Sequence, residues 1–149
     1  MTTIIIIGII GAIISAVTGT IWYGGSTPMG KLHMRYLGFD RLSQAEKEAM
    51  ITAAKPNMWK TYTAQMTLSL LTSFFIGFVT WYTVLSGGPA NAVYFYVVMT
   101  WIAFTVPMIG QNLLWGNVES SIVWKKFFSD AVYNLITFLL IAFVATLLV

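Results

Sequence analysis

Cysteine is absent from this 149-residue chain, histidine occurs once, and charge is scarce. Without cysteine there is no disulfide framework, thiol nucleophile or cysteine metal site. His33 stands alone beside Lys31 and Arg35, and metal sites need several donors, so no metal and no cofactor is expected. Ser120 and Ser121 lack a local acid–base partner, which argues against a hydrolase triad. Charged residues make up 9% of the chain, against about 25% in soluble domains. Hydrophobic residues reach 58% and aromatics 15%. A water-soluble fold of this length has no way to bury so much apolar surface.

The missing charge is missing in blocks. Residues 1–30, 61–118 and 131–149 contain no Asp, Glu, Lys, Arg or His, so each can enter hydrocarbon without the several kcal/mol an ionised side chain costs there. Residues 4–23 make a helix of about 30 Å, one bilayer core. They carry no positive n-region and no cleavage site leading into a polar mature domain, so an uncleaved span is expected. The second block is broken by Ser86-Gly87-Gly88-Pro89, a turn signal, into spans over 62–85 and 93–114. A last span runs over about 124–148; Asn117 is a candidate cap for an earlier start, with Glu119 in the first turn. The expected fold is all-α: a polytopic membrane protein, a four-transmembrane-helix bundle forming a single membrane domain over 1–149.

All eight basic residues lie in residues 31–60 or at Lys125–Lys126. By the positive-inside rule both charged connections are cytoplasmic and both termini lie outside the cell membrane. Trp22, Tyr23, Trp59, Tyr62, Trp115 and Trp124 mark the inner interface; Trp81, Tyr82, Tyr94 and Tyr96 mark the outer one. A pI near 9.3 is then the ordinary cytoplasmic excess, and no nucleic-acid partner is expected. The connection over 24–61 reads as short helices. Ser43-Gln44-Ala45-Glu46 matches a capping box, and Lys55-Pro56-Asn57 a stop. The second helix has only a weak apolar face, suited to resting on the bundle or the lipid surface.

In lipid, helices associate through small residues and polar side chains. Gly8, Gly11, Ser15 and Gly19 form such a stripe on the first span, and Gln65, Ser69 and Thr72 on the second. Gln111 joins Thr100 and Pro107 on the third, and Asn134 joins Asp130 and Thr137 on the fourth. Packing is the preferred reading of these stripes; the alternative is a polar path for a small solute. Asp130 is the carboxylate placed at the edge of a span. It reads either as a proton, cation or polar-ligand site, or as the partner of Lys126, Lys31 or Arg35.

Trp22-Tyr23, Gly30-Lys31, Met34-Arg35 and Gly38, with Pro107, Asn112-Leu113-Leu114-Trp115 and the run 128–135, resemble the domain-of-unknown-function family 1761. This is a family of prokaryotic four-helix membrane proteins, and the likeness covers nearly the whole chain. Asn134 stands where that family commonly has histidine, and Val132 where it has glycine. The resemblance implies a four-span fold and no established activity. It also directs attention to Trp22, Tyr23, Gly30, Lys31, Asn112, Trp115, Asp130 and Tyr133 as one cluster at the cytoplasmic rim. Lys31 is expected to neutralise Asp130, with Tyr133 and Asn112 supplying hydrogen bonds. The functional expectation is a non-enzymatic structural or binding protein, acting as a homo-oligomer or accessory subunit of a membrane complex, with lipids as its surroundings. A small-solute or ion channel or transporter is the alternative, and an inner-leaflet lipid-acting enzyme using Asp130 and Tyr133 the third.

Overall fold

The computed structural model describes residues 2–114 and 118–149, which are helical with no strand among them. Four helices are long and apolar enough to cross a membrane. The first, α1, is Thr2–Tyr23. A short α2 (Pro28–Tyr36) and α3 (Gln44–Ala54) follow, separated by a 3₁₀ turn at Phe39–Arg41. A second 3₁₀ turn, Lys55–Asn57, leads directly into α4 (Met58–Leu85). Next come α5 (Ala92–Thr100), a π-helical turn (Trp101–Thr105) and α6 (Val106–Leu114), which form one continuous rod. The last helix, α7, is Ser120–Leu148.

Local chemistry accounts for most boundaries. The Ser43 hydroxyl accepts from the Glu46 amide, and the Glu46 carboxylate accepts from the Ser43 amide at 2.7 Å, so the expected capping box starts α3. Pro56 is no break: it sits in the first turn of the 3₁₀ segment, where its missing N–H has no partner to lose. The long helix therefore begins at Met58, four residues before the start expected from apolarity alone. It ends where Gly87 adopts φ 73°. The Gly88 and Gly87 amides then reach back to Thr83 and Val84 carbonyls at 2.9 and 3.0 Å, a Schellman closure that needs a left-handed residue. In the third rod the Val106 amide bonds to the Trp101 carbonyl, five residues back. A proline ring clashes with the carbonyl four residues earlier, and the widened turn just before Pro107 relieves that clash. The last helix starts at Ser120, four residues earlier than expected. Glu119 occupies the cap position instead of the first turn, and its side chain makes no cap hydrogen bond. Asn117 lies outside the described residues.

Packing divides the bundle into unlike halves. At the end holding both termini, Ile7, Ile76, Val93, Val97, Ile141, Ala142 and Ala145 from four helices form the core. Here α1 and α4 approach on glycine: a Cβ on Gly11 would lie 2.6 Å from the Ser73 Cβ, and one on Gly77 3.2 Å from the Ile7 Cβ. Ser69 and Ser73 are buried between them, and the Ser73 hydroxyl returns to the Ser69 carbonyl at 2.7 Å.

At the charged end α4 leaves the bundle. Every residue from 58 to 68 is exposed, around the whole circumference of about three turns. Gln65 is among them, so it belongs to no interhelical stripe. Gln111 is exposed on α6 as well. Helix α3 buries no residue.

Candidate functional site

The site is built by a reversal after α1. Thr27 donates its hydroxyl to the Trp22 and Gly24 carbonyls at 2.8 Å and accepts from the Gly30 amide at 2.9 Å, capping α2, which opens on Pro28. Gly30 lies against the end of α1: a Cβ there would come within 2.8 Å of the Tyr23 carbonyl oxygen and closer still to that of Gly24. Backbone cannot yield as a side chain can, so only glycine permits this fold-back. The reversal lays His33 and Tyr36 over the place where α1 meets α7.

At that junction Asp130 is held from two helices. Lys126, one turn earlier on α7, donates to both carboxylate oxygens, and the Tyr23 hydroxyl donates to Oδ1 at 2.6 Å. Lys126 is 5% exposed, so its charge is stabilised within the protein. Besides the carboxylate, its Nζ lies 5.0 Å from the Tyr23 ring centroid and 5.9 Å from that of Tyr36, within cation–π range. The Tyr23 ring also meets His33 and the edge of Tyr133, each at 5.2 Å between centroids. Trp22 donates its indole N–H to the Ser129 hydroxyl at 3.1 Å, and Tyr133 donates to the Ser15 carbonyl at 3.2 Å. Further along the same seam Tyr133 crosses Gly19, where a Cβ would stand 3.1 Å from its hydroxyl, and Thr18 meets Thr137 at 3.1 Å.

Of the residues expected at the rim, Trp22, Tyr23, Gly30, Asp130 and Tyr133 come together. Lys31 does not: it is exposed on α2, and the cation on Asp130 is Lys126. The reason is register, since Lys126 lies one turn from Asp130 on the same helix, whereas α2 presents His33 and Tyr36 to the junction and turns Lys31 away. Asn112 is exposed on α6 and supplies no hydrogen bond to Asp130; Trp115 lies outside the described residues. Of the packing stripe, Gly8 faces Phe74, and Gly11, Gly19 and Ser69 lie in helix contacts, with Ser15 contributing its carbonyl. Thr72 bonds back to the Leu68 carbonyl at 3.0 Å, and Asn134 to that of Asp130 at 2.8 Å, each within its own helix.

Tyr36 and Ser129 belong to the site although no sequence signal singled them out, and so does His33, read from sequence only as a lone histidine. His33 Nδ1 is buried without a hydrogen-bond partner. Burial, and next the nearby Lys126 ammonium, hold the imidazole below its ordinary pKa, with Asp130 opposing. Among the described residues no three His, Cys, Asp or Glu side chains gather as a metal would require. As it stands the cluster is a closed ion pair with aromatic walls.

Elsewhere α4 and α5 separate to leave two adjoining clefts of about 320 and 560 Å³ that share Phe75, Val79, Tyr96 and Thr100. Their walls are apolar, and the Thr100 hydroxyl is occupied by the Tyr96 carbonyl at 2.8 Å.

These features define a class: an all-helical chain with four helices of membrane-crossing length and a buried ion pair locking the first to the last. The family described as "Protein of unknown function (DUF1761)" matches residues 6–146, and the chain belongs to that family. No curated protein and no solved structure matches it.

Proposed function

We propose that this chain is an integral membrane protein that works by association: a structural or binding subunit that pairs with a second copy of itself, or sits in a larger membrane complex, through the charged end of α4. The carrying observation is the exposure of residues 58–68 around the full helix. Helices in lipid gain no hydrophobic drive to associate and rely on close packing of small residues and on polar groups. This stretch offers Thr63, Ala64 and Thr67 together with the exposed Gln65, whose amide finds no partner among the described residues. The basic residues of the first connection and Lys125–Lys126 support a reading with that end at the cytoplasmic face and both termini outside. The conducting alternative has less support, because Gln65 and Gln111 face outward and the interhelical clefts are apolar. An enzymatic role for Asp130 has less support too, since its oxygens are engaged by Lys126 and Tyr23.

The absence of native cysteine makes the test clean. Ala64→Cys and Thr67→Cys, oxidised in native membranes, are expected to give a disulfide-linked dimer, while Leu140→Cys on the exposed side of α7 stays monomeric. Equal cross-linking at all three positions, or none at any alongside a single-copy mass in mild detergent with no copurifying subunit, overturns the reading.

A further inference from the structure

Beyond the ion-pair site, the fold gathers a second set of charges. Gly38, at φ 77°, ends the α2 segment, and its amide bonds to the Arg35 carbonyl at 3.0 Å. The chain then turns through Phe39–Arg41 and the Ser43 cap, bringing Lys47 of α3 to the same basin as residues of α2. Between them lies a basin of about 340 Å³ lined by Lys31, Arg35, Lys47, Asp40, Phe39 and Met34. Three cations face one carboxylate, a local balance of 3 − 1 = +2. Asp40 braces Arg35 from 3.7 Å at the Nε edge, and among the described residues neither Lys31 nor Lys47 has a carboxylate partner. Three converging like charges repel each other, and an anion seated among them removes that repulsion. The volume falls within the usual range for small-ligand sites. Phe39 and Met34 give the basin an apolar side as well.

We propose that this basin binds the phosphate headgroup of an anionic phospholipid of the cytoplasmic leaflet. The cations take the phosphate, and Phe39 and Met34 meet the glycerol and upper acyl region. A free anion would use the cations alone; the apolar side and the tether to the end of α1 favour a lipid. Basic groups at this level attract anionic lipid at roughly 1 kcal/mol each, so removing two of them weakens retention about thirtyfold. The leaflet assignment rests on the topology proposed above. It is tested separately by labelling Ala90→Cys, in the uncharged second connection, from outside intact cells. Failure there reassigns the leaflet without changing what the purified protein retains.

The experiment uses the full chain in mild detergent, presented with equal amounts of phosphatidylglycerol and phosphatidylcholine, with bound lipids counted by native mass spectrometry. Phosphatidylglycerol is expected to be retained in preference. Lys31→Ala/Lys47→Ala loses that preference, whereas Lys55→Ala/Lys60→Ala, the same charge change outside the basin, keeps it. Thermal unfolding without lipid confirms that each variant is folded, and Lys31→Gln/Lys47→Gln replaces any that is not. Three results overturn the proposal: no preference in the parent chain, equal loss in both double variants, or displacement of the lipid by inorganic phosphate at concentrations that leave general ionic strength unchanged.

Discussion

Asp130 and Lys126 set the strongest constraint at the level of single residues. Removing one member of a buried ion pair leaves the other charged and unpaired, at a cost of about 3 kcal/mol, whereas replacing both by apolar groups of similar volume is close to neutral. Asp130→Asn is therefore expected to lower the unfolding midpoint in detergent sharply, and Lys126→Met/Asp130→Leu to recover most of it. Equal losses in the single and double variants would show that the pair is not the source. His33 adds a pH dependence of definite sign. Its folded pKa lies below the ordinary 6.5, so on acidification the unfolded chain takes the proton first. Stability is then full above about pH 6.5 and declines as pH falls from there toward the lower folded value. His33→Phe, which keeps the ring against Tyr23, is expected to flatten that window in thermal unfolding between about pH 7.5 and 5. Sequence alone pointed to Asp130, because a carboxylate at the edge of an uncharged block has to be compensated. It left three cations open as partners. Lys126 is chosen by its place one turn from Asp130 on the same helix, whereas the arrival of His33 and the turning away of Lys31 depend on the Thr27–Gly30 fold-back, and no spacing along α2 announces which of its faces that reversal turns inward.

At the level of elements, α1 and α4 cross where glycine and serine allow their backbones to approach. Gly11→Leu drives a side chain into Ser73 and Ile141, and overpacking of this kind costs about 2 kcal/mol. The expected result is a lower midpoint with helix content unchanged by circular dichroism, and a partial recovery in Gly11→Leu/Ser73→Gly. The glycine stripe and the span count were legible because lipid-facing helices leave few ways to associate. The length of α4 was less so, since Lys55-Pro56-Asn57 has the composition of a stop while its geometry joins two helical runs. Gln65 was misplaced for a related reason. Its spacing to Ser69 and Thr72 puts all three on one face, but α4 diverges from the bundle between them, and divergence is a property of two helices together.

For the whole molecule, a tightly packed end contrasts with an open one. The four-helix core near the termini joins α1, α4, α5 and α7. Under the proposed function, the charged end presents α4 for association and the basin beside α2 for lipid, with the ion-pair site between them fixing α1 and α2 to α7. Charge distribution alone indicated that this end was the one to inspect. The opening between α1 and α4 carries no mark in the sequence, because most residues along it suit packing and lipid equally.

Because Lys126 and Asp130 lie one turn apart on the same helix, they can neutralise each other as soon as α7 forms, with no contribution from Tyr23 or α2. A C-terminal segment whose two ionised groups already cancel enters the bilayer nearly as a neutral one, well below the cost of two separate charges. Under the proposed topology, the last helix therefore need not wait for the rest of the bundle during synthesis. The Tyr23 hydroxyl contributed by α1 then joins a pair that is already neutral.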